Sequence, residues 1–164
     1  MPQEDEVDRI VAAWDRERPD LDFTPLHVLS RVGRLSHHLD RARRAAFIAG
    51  DMESWEFDVL SALRRAGEPY ELSPKALLQQ TLVSSGTMTN RVDRLAARGL
   101  VARRTDPHDG RGILVALTAS GRGAADAAIA GLVRAEADIL AVLSDADRDH
   151  LAGLLRTLSL ELGD

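Results

Sequence analysis

Apolar residues recur with helical spacing along most of the chain, and this spacing predicts a mainly helical protein. Val7, Ile10, Val11 and Trp14 form one stripe, and Pro19 is expected to end that helix. Further helices are predicted over 25–50, 53–66, 73–82, 84–98, 118–143 and from Ser144 to the chain end. The long outer helices carry more apolar positions than one small lobe can bury. The pattern therefore favours a homodimer.

Two short segments break the helical spacing and predict a β-hairpin. Leu100 to Thr105 and Ile113 to Leu117 have strand-like composition, and Pro107, Asp109 and Gly110 lie in the turn between them. Two short helices followed by a hairpin form a winged helix-turn-helix. We predict a mainly α fold with a small β-hairpin wing, in which 53–117 bind DNA and 1–52 with 118–164 form a helical dimerisation region.

The segment SSGTMTNRVDRLAARG, from Ser84 to Gly99, has two different faces as a helix. Its apolar face is expected to be buried, and its other face is basic, without an acidic residue. The apolar face comprises Met88, Val92 and Leu95, and the basic face comprises Thr87, Arg91, Arg94 and Arg98. Such a face either meets only solvent or contacts a negatively charged partner.

Composition narrows the classes of function. The chain of 164 residues has a net charge of −5 and no cysteine, yet six arginines and three aspartates lie between Ser84 and Arg111. A basic patch on an acidic body is typical of a site-specific DNA-binding protein. The chain has no apolar run of the roughly 18–20 residues that cross a bilayer and no visible export signal, so a cytoplasmic location without membrane partners is expected.

The sequence gives little support to enzyme or metal chemistry. It shows neither a nucleophile–base motif nor a glycine-rich phosphate loop, so we expect no enzyme activity and no cofactor. His37, His38 and Asp40 lack further ligands at suitable spacing, so no metal site is predicted.

The basic face is well suited to double-stranded DNA. The second helix of a helix-turn-helix enters the major groove, where arginine recognises guanine, asparagine recognises adenine and a threonine methyl group meets thymine. The hairpin tip is expected to bring Arg111 to an adjacent minor groove, with Asp109 holding its guanidinium. The remaining predicted DNA contacts are Ser84, Ser85, Thr87, Thr89, Asn90, Arg91 and Arg94.

These features together resemble the MarR family of winged-helix regulators. The resemblance rests on SSGTMTNRVDRLAARGLV, on DPHDGRGILVALT and on Gly121, and it extends over essentially the whole chain. It implies a homodimer on a palindromic operator, with half-sites about one helical turn apart.

The additional first helix and the segment WEFDVLSALRRAG resemble a urate-responsive branch that also includes regulators answering to trans-aconitate. That resemblance implies a repressor released by a small anion such as urate, trans-aconitate or citrate. The implied pocket comprises Trp14, Asp58, Arg65 and Arg91, with Arg103 as a further candidate. Pairing of Asp58 with Arg91 or Arg103 in the empty pocket would let an anion compete for the arginine.

Other interpretations stay open at this point. The protein is alternatively a ligand-independent winged-helix DNA-binding protein, or a regulator answering to a phenolic or aromatic acid. Trp14 is alternatively a packing residue, and Asp58 and Arg65 are alternatively ordinary surface charges. His38, or less favourably His37, is a candidate pH sensor where two long helices cross in a dimer.

Overall fold

The computed structural model describes residues 4–48, 50–81, 83–107, 109–110 and 112–163. Within them the fold is mainly α with a small antiparallel sheet, as predicted. The helices are α1 Glu6–Glu17, α2 Thr24–Ile48, α3 Ser54–Arg65, α4 Pro74–Thr81, α5 Ser85–Ala97, α6 Ala119–Leu140 and α7 Asp145–Leu162. The strands are β1 Glu71–Leu72, β2 Val101–Thr105 and β3 Ile113–Leu117.

Side-chain caps explain where several helices begin. Asp5 Oδ1 accepts the backbone N–H of Val7 at 2.7 Å and that of Asp8 at 3.1 Å, so α1 begins at Glu6. Thr118 caps α6 by accepting the N–H of Gly121 at 2.9 Å, and Ser144 caps α7. The predicted end of α6 near residue 143 is corrected, because α6 ends at Leu140.

The wing is a three-stranded sheet rather than a simple hairpin. Its strand order is β1–β3–β2, and both neighbouring pairs are antiparallel. Val101 pairs with Leu117 and Thr105 with Ile113, as in the predicted hairpin, and Leu72 of β1 pairs with Val115 on the other edge of β3. The sequence pattern indicated only a short extended segment at 70–72 and did not indicate its partner.

The described chain divides into two compact units, Met1–Ala42 and Arg43–Asp164. In the first unit, Val7 and Val11 are buried on α1. Arg31 of α2 donates to Asp5 at 2.8 Å and to Asp8 at 2.7 Å, so ion pairs attach α1 to α2.

The second unit contains the winged helix-turn-helix and its core. We call α5, the second helix of the helix-turn-helix, the recognition helix. Its predicted apolar face is confirmed, because Met88, Val92 and Leu95 are at most 3% exposed. They pack in one cluster with Leu60 and Leu63 of α3, and with residues of α4, the sheet and α6. This packing fixes which face of α5 points outward.

Two helices of the second unit leave apolar side chains exposed. None of the described residues of α7 is buried, and Ile129 and Val133 of α6 are exposed. The exposed leucines of α7 are Leu151, Leu154, Leu155, Leu158, Leu160 and Leu162. None of the described helices is both long enough and apolar enough to cross a bilayer.

Candidate nucleic-acid interface

The N-terminus of α5 is capped by Ser84. The Ser84 hydroxyl accepts the backbone N–H of Thr87 at 3.3 Å and lies 2.9 Å from the Thr87 hydroxyl. The hydroxyl of Thr89 donates to the carbonyl of Ser85 at 3.1 Å. The cap leaves Ser84, Ser85, Gly86 and Thr87 exposed at the positive end of the helix dipole, where anions bind.

An open cleft of about 500 Å³ lies along the exposed face of α5. It brings together four of the predicted DNA contacts, Thr87, Asn90, Arg91 and Arg94. Gly86, Glu53 and Trp55 complete the lining. The sequence pattern did not place Glu53 or Trp55 at this face, because both lie about 30 residues before α5 and no spacing rule connects them to it.

The two arginines of this cleft lie against the start of α3. The Arg94 guanidinium is 4.6 Å from the centre of the Trp55 ring, and that of Arg91 is 5.6 Å from it. Arg94 Nη2 also donates to Glu53 Oε1 at 2.7 Å, and the Trp55 indole N–H donates to Glu53 Oε2 at 2.8 Å. The indole ring therefore meets both cations, and one carboxylate joins the indole to Arg94.

The predicted basic face divides into two parts, because Arg98 has a structural role. Arg98 Nη1 donates to both carboxylate oxygens of Glu56, at 2.8 and 2.7 Å, and Glu56 is only 2% exposed. Arg98 Nη2 bonds Asp51 through its carbonyl and its side chain. The hydrogen bonds to Glu56 raise the pKa of Arg98 further above its ordinary value. Arg98 thus anchors α5 to the start of α3.

The wing residues are described only in part. Arg103 of β2 pairs with Asp93 of α5, and it also lines a cavity of about 90 Å³ with Ser85 and Thr89. The carbonyl of Asp109 accepts the N–H of Gly112 at 2.7 Å in the wing turn. Arg111 lies outside the described residues, so its pairing with Asp109 stays a prediction.

The predicted pocket residues lie in both units. Arg65 is exposed on α3 in the second unit, and Asp58 lies on the same helix with its side chain open to solvent on one side while neighbouring atoms crowd its carboxyl. Trp14 belongs to the first unit, where it stacks on Phe23 with ring centres 5.8 Å apart and keeps 48% of its surface exposed. Arg65 Nη1 donates to the Ser61 hydroxyl at 3.1 Å.

The charge environment of Asp58 differs from the expected ion pair. Within the described residues Asp58 has no salt bridge, and partial burial of its carboxyl raises its pKa, although the charges of Arg91, Arg43 and Arg65 act in the opposite direction. The pairing of Asp58 with Arg91 or Arg103 that the competition model would require is not present among the described residues. Arg91 lies over Trp55 instead, and Arg103 pairs with Asp93.

The two histidines considered as pH sensors, His37 and His38 of α2, are both exposed. Arg41 donates to Nδ1 of His38 at 2.8 Å. The described residues include no group of three histidine, aspartate or glutamate side chains placed to hold a metal ion.

Sequence comparison matches this chain to known transcriptional regulators. The MarR family profile matches residues 51–112, which include α3, the helix-turn-helix and part of the wing. The HTH-type transcriptional regulator PecS of Dickeya dadantii is 36% identical over 150 residues, covering 92% of this chain and 90% of PecS. This relative is a regulator and not an enzyme.

Solved structures show the same fold. Apo MarR from E. coli is 26% identical with a TM-score of 0.67, covering 79% of this chain and 96% of MarR. BpsR of Bordetella bronchiseptica, whose DNA binding is regulated by 6-hydroxynicotinic acid, is 28% identical with a TM-score of 0.60, covering 79% of this chain and 98% of BpsR. The chain belongs to the MarR family of DNA-binding, winged helix-turn-helix transcriptional regulators.

Proposed function

We propose that this chain is a homodimeric repressor that binds a palindromic operator through α5 and is released by a small anion. The observation that carries the proposal is the outward face of α5. This face presents Thr87, Asn90, Arg91 and Arg94 around an open cleft, while the opposite face is buried in the core. A rigid helix with this outward chemistry suits the major groove.

Dimerisation is supported by the exposed apolar residues of the outer helices. The leucines on α7 repeat at helical spacing and stay exposed, although a helix with such a stripe normally buries it. A second copy of the chain offers the same stripe and would bury both. We therefore propose that 1–52 and 118–164 form the dimerisation region and that 53–117 bind DNA.

Release by an anion is supported by the arginines around Asp58. The charges of Arg43, Arg65 and Arg91 favour the charged form of this carboxyl, although they do not outweigh the effect of its partial burial. A compact anion would bind through the same arginine charges. The branch resemblance adds Trp14 as an aromatic wall and Arg103 as a further cation, and urate and trans-aconitate or citrate are the leading effectors.

The DNA part of the proposal is tested by fluorescence anisotropy with operator and unrelated duplexes. Arg94→Ala removes a contact to a base edge, which is typically worth about 1–3 kcal/mol, so operator binding should weaken about tenfold or more. Binding to the unrelated duplex should weaken much less. Equal losses on both duplexes would show that Arg94 contacts only the phosphate backbone.

The effector part is tested separately by a thermal-shift screen of urate, trans-aconitate, citrate and phenolic acids. The effector should raise the melting temperature and lower operator affinity. Trp14→Ala or Arg65→Ala should keep operator binding and weaken release by that effector. Loss of operator binding without a change in release would refute the pocket assignment.

Two alternatives have distinct outcomes in these assays. A ligand-independent DNA-binding protein would respond to none of the anions and would show a steep salt dependence with little sequence preference. A regulator of the aromatic-acid type would respond to the phenolic acids of the screen. The similarity to BpsR justifies adding 6-hydroxynicotinic acid to that screen.

The pH response of operator binding tests the histidine hypothesis. If His38 lies at the crossing of two α2 helices, its protonation brings like charges together and weakens DNA binding in mild acid. His38→Ala should then abolish that loss, whereas His37→Ala should keep it. An unchanged acid response in His38→Ala would exclude His38 as the sensor.

A further inference from the structure

Two side chains at the start of α3 contact Arg91 and Arg94 of α5. We call Glu53 and Trp55 the arginine bracket. The carboxylate of Glu53 has one oxygen on Arg94 and the other on the indole N–H of Trp55. The indole ring meets the guanidinium groups of both Arg91 and Arg94. Each bracket residue is thus fixed by the other as well as by the arginines.

The arginine bracket is attached to a buried anchor. The backbone N–H of Glu53 donates to Glu56 Oε2 at 2.9 Å, and the buried carboxylate of Glu56 is held by Arg98. An ion pair between two free surface side chains has little orienting effect, because both partners lose rotamer freedom to form it. Here the Glu53 carboxylate is also held by the Trp55 indole N–H, so this loss is smaller.

The bracket leaves most of the hydrogen-bonding capacity of Arg94 unused. An arginine has five N–H donors, and the structure shows one of them, on Nη2, bound to Glu53. The side chain is still 54% exposed in the cleft. Within the described part of the chain, its guanidinium therefore has a defined orientation and keeps donors available for a second acceptor.

We propose that Glu53 and Trp55 are positioning residues that determine the base preference of this regulator through Arg94 and Arg91. The inference rests on the proposed DNA contacts of α5 and adds the side chains that orient them. An arginine already held in its bound orientation loses less entropy on meeting a base edge. A carboxylate beside it repels phosphates, so the bracket also weakens binding to DNA that offers no matching base.

Loss of the Glu53 charge should have opposite effects on two affinities, which a purely structural role would not give. Glu53→Gln keeps the shape of the side chain but removes its charge. Affinity for an unrelated duplex should rise about two- to threefold at low salt, since one repulsive charge is lost. Affinity for the operator relative to the unrelated duplex should fall about fivefold or more.

A matched control separates orientation from net charge. Like Glu53→Gln, Asp93→Asn removes one negative charge, in this case from α5. The arginine that loses its ion pair is then Arg103 and not Arg94. Asp93→Asn should raise affinity for unrelated DNA to a similar extent and leave the operator preference unchanged. Trp55→Phe keeps an aromatic ring while removing the indole N–H, so the operator preference should fall by less than in Glu53→Gln.

Intrinsic fluorescence gives a direct readout of the contact. The chain has two tryptophans, Trp14 and Trp55, so Trp14→Phe leaves Trp55 as the reporter. Operator DNA should change the emission of Trp55 more than an unrelated duplex does, because only the operator engages the arginines stacked on its ring. Equal changes with both duplexes would contradict the bracket.

A double-mutant test distinguishes failure of this inference from failure of the proposed function. In an Arg94→Ala background, Glu53→Gln should no longer lower the operator preference. If Arg94→Ala lowers the preference and Glu53→Gln does not, the bracket is refuted while the DNA contact stands. If neither Arg94→Ala nor Arg91→Ala alters the preference, the proposed contacts themselves are wrong. An equal fall in operator preference in Glu53→Gln and in Asp93→Asn would also refute the positioning role of the arginine bracket.

Discussion

Gly121 is the position where the structure predicts the sharpest loss of stability. A Cβ atom at this residue would lie 1.8 Å from the carbonyl oxygen of Leu100 and 3.2 Å from the side chain of Leu117. The Leu100 carbonyl is backbone and already accepts the N–H of Thr118 at 3.1 Å. Gly121→Ala therefore requires α6 to move away from the end of the recognition helix by more than about 1 Å, because an ordinary carbon–oxygen contact is near 3.4 Å.

The size of the loss follows from the contacts that such a movement breaks. Overpacking of this kind costs about 1–3 kcal/mol, and the weakened hydrogen bond from Thr118 to Leu100 adds about 1 kcal/mol. A total near 3 kcal/mol corresponds to a fall of about 10 °C in melting temperature. Calorimetry or thermal unfolding followed by circular dichroism measures it.

Gly123→Ala is the matched control on the same helix. No atom lies within 4 Å of the Cβ that it would add, so alanine should stabilise α6 by about 0.5–1 kcal/mol through helix propensity. If both alanine variants have the same melting temperature, the close approach of α6 to Leu100 is not a determinant of stability.

Two further predictions concern charge. Arg98→Ala leaves the buried Glu56 carboxylate without its cation, so the free energy of unfolding measured in urea should fall by about 2–3 kcal/mol. This loss is smaller than for a fully buried pair because Arg98 is 38% exposed. Adding Glu56→Gln should recover part of the loss, and an unchanged unfolding midpoint in Arg98→Ala would contradict the anchoring role of Arg98. Burial raises the pKa of Asp58, so its ionisation opposes folding increasingly as the pH rises above the ordinary carboxyl pKa of 3.8. Asp58→Asn should therefore raise the melting temperature at pH 7 and leave it unchanged near pH 3, and a stabilisation that persists at pH 3 would refute this origin.

Local sequence rules accounted for the elements that depend on local chemistry. The buried face of α5, its serine cap, the hairpin of β2 and β3, and the caps of α6 and α7 all follow from spacing or from capping residues. Each of these signals acts within one helix or one hairpin. The predicted helix ends differ from the observed ones by only a few residues.

Local sequence rules do not predict contacts between residues that are far apart in the sequence. Nothing within 70–72 indicates that β1 pairs with β3 across about 40 residues, and nothing in the periodicity of α5 separates Arg98 from Arg94. That separation depends on α3, which offers a buried carboxylate at Glu56 to one arginine and an exposed indole at Trp55 to the other. The dual role expected of Arg91 likewise changes, because it contacts Trp55 rather than pairing with Asp58.

Selection of DNA sites from a randomised duplex pool measures whether the outward face of α5 recognises a specific operator. We expect enrichment of one palindrome whose half-sites are about one helical turn apart. The preference should weaken at defined base positions when the selection is repeated with Arg94→Ala. Recovery of unrelated sequences by the wild-type protein, or of the same palindrome at undiminished preference by Arg94→Ala, would contradict it.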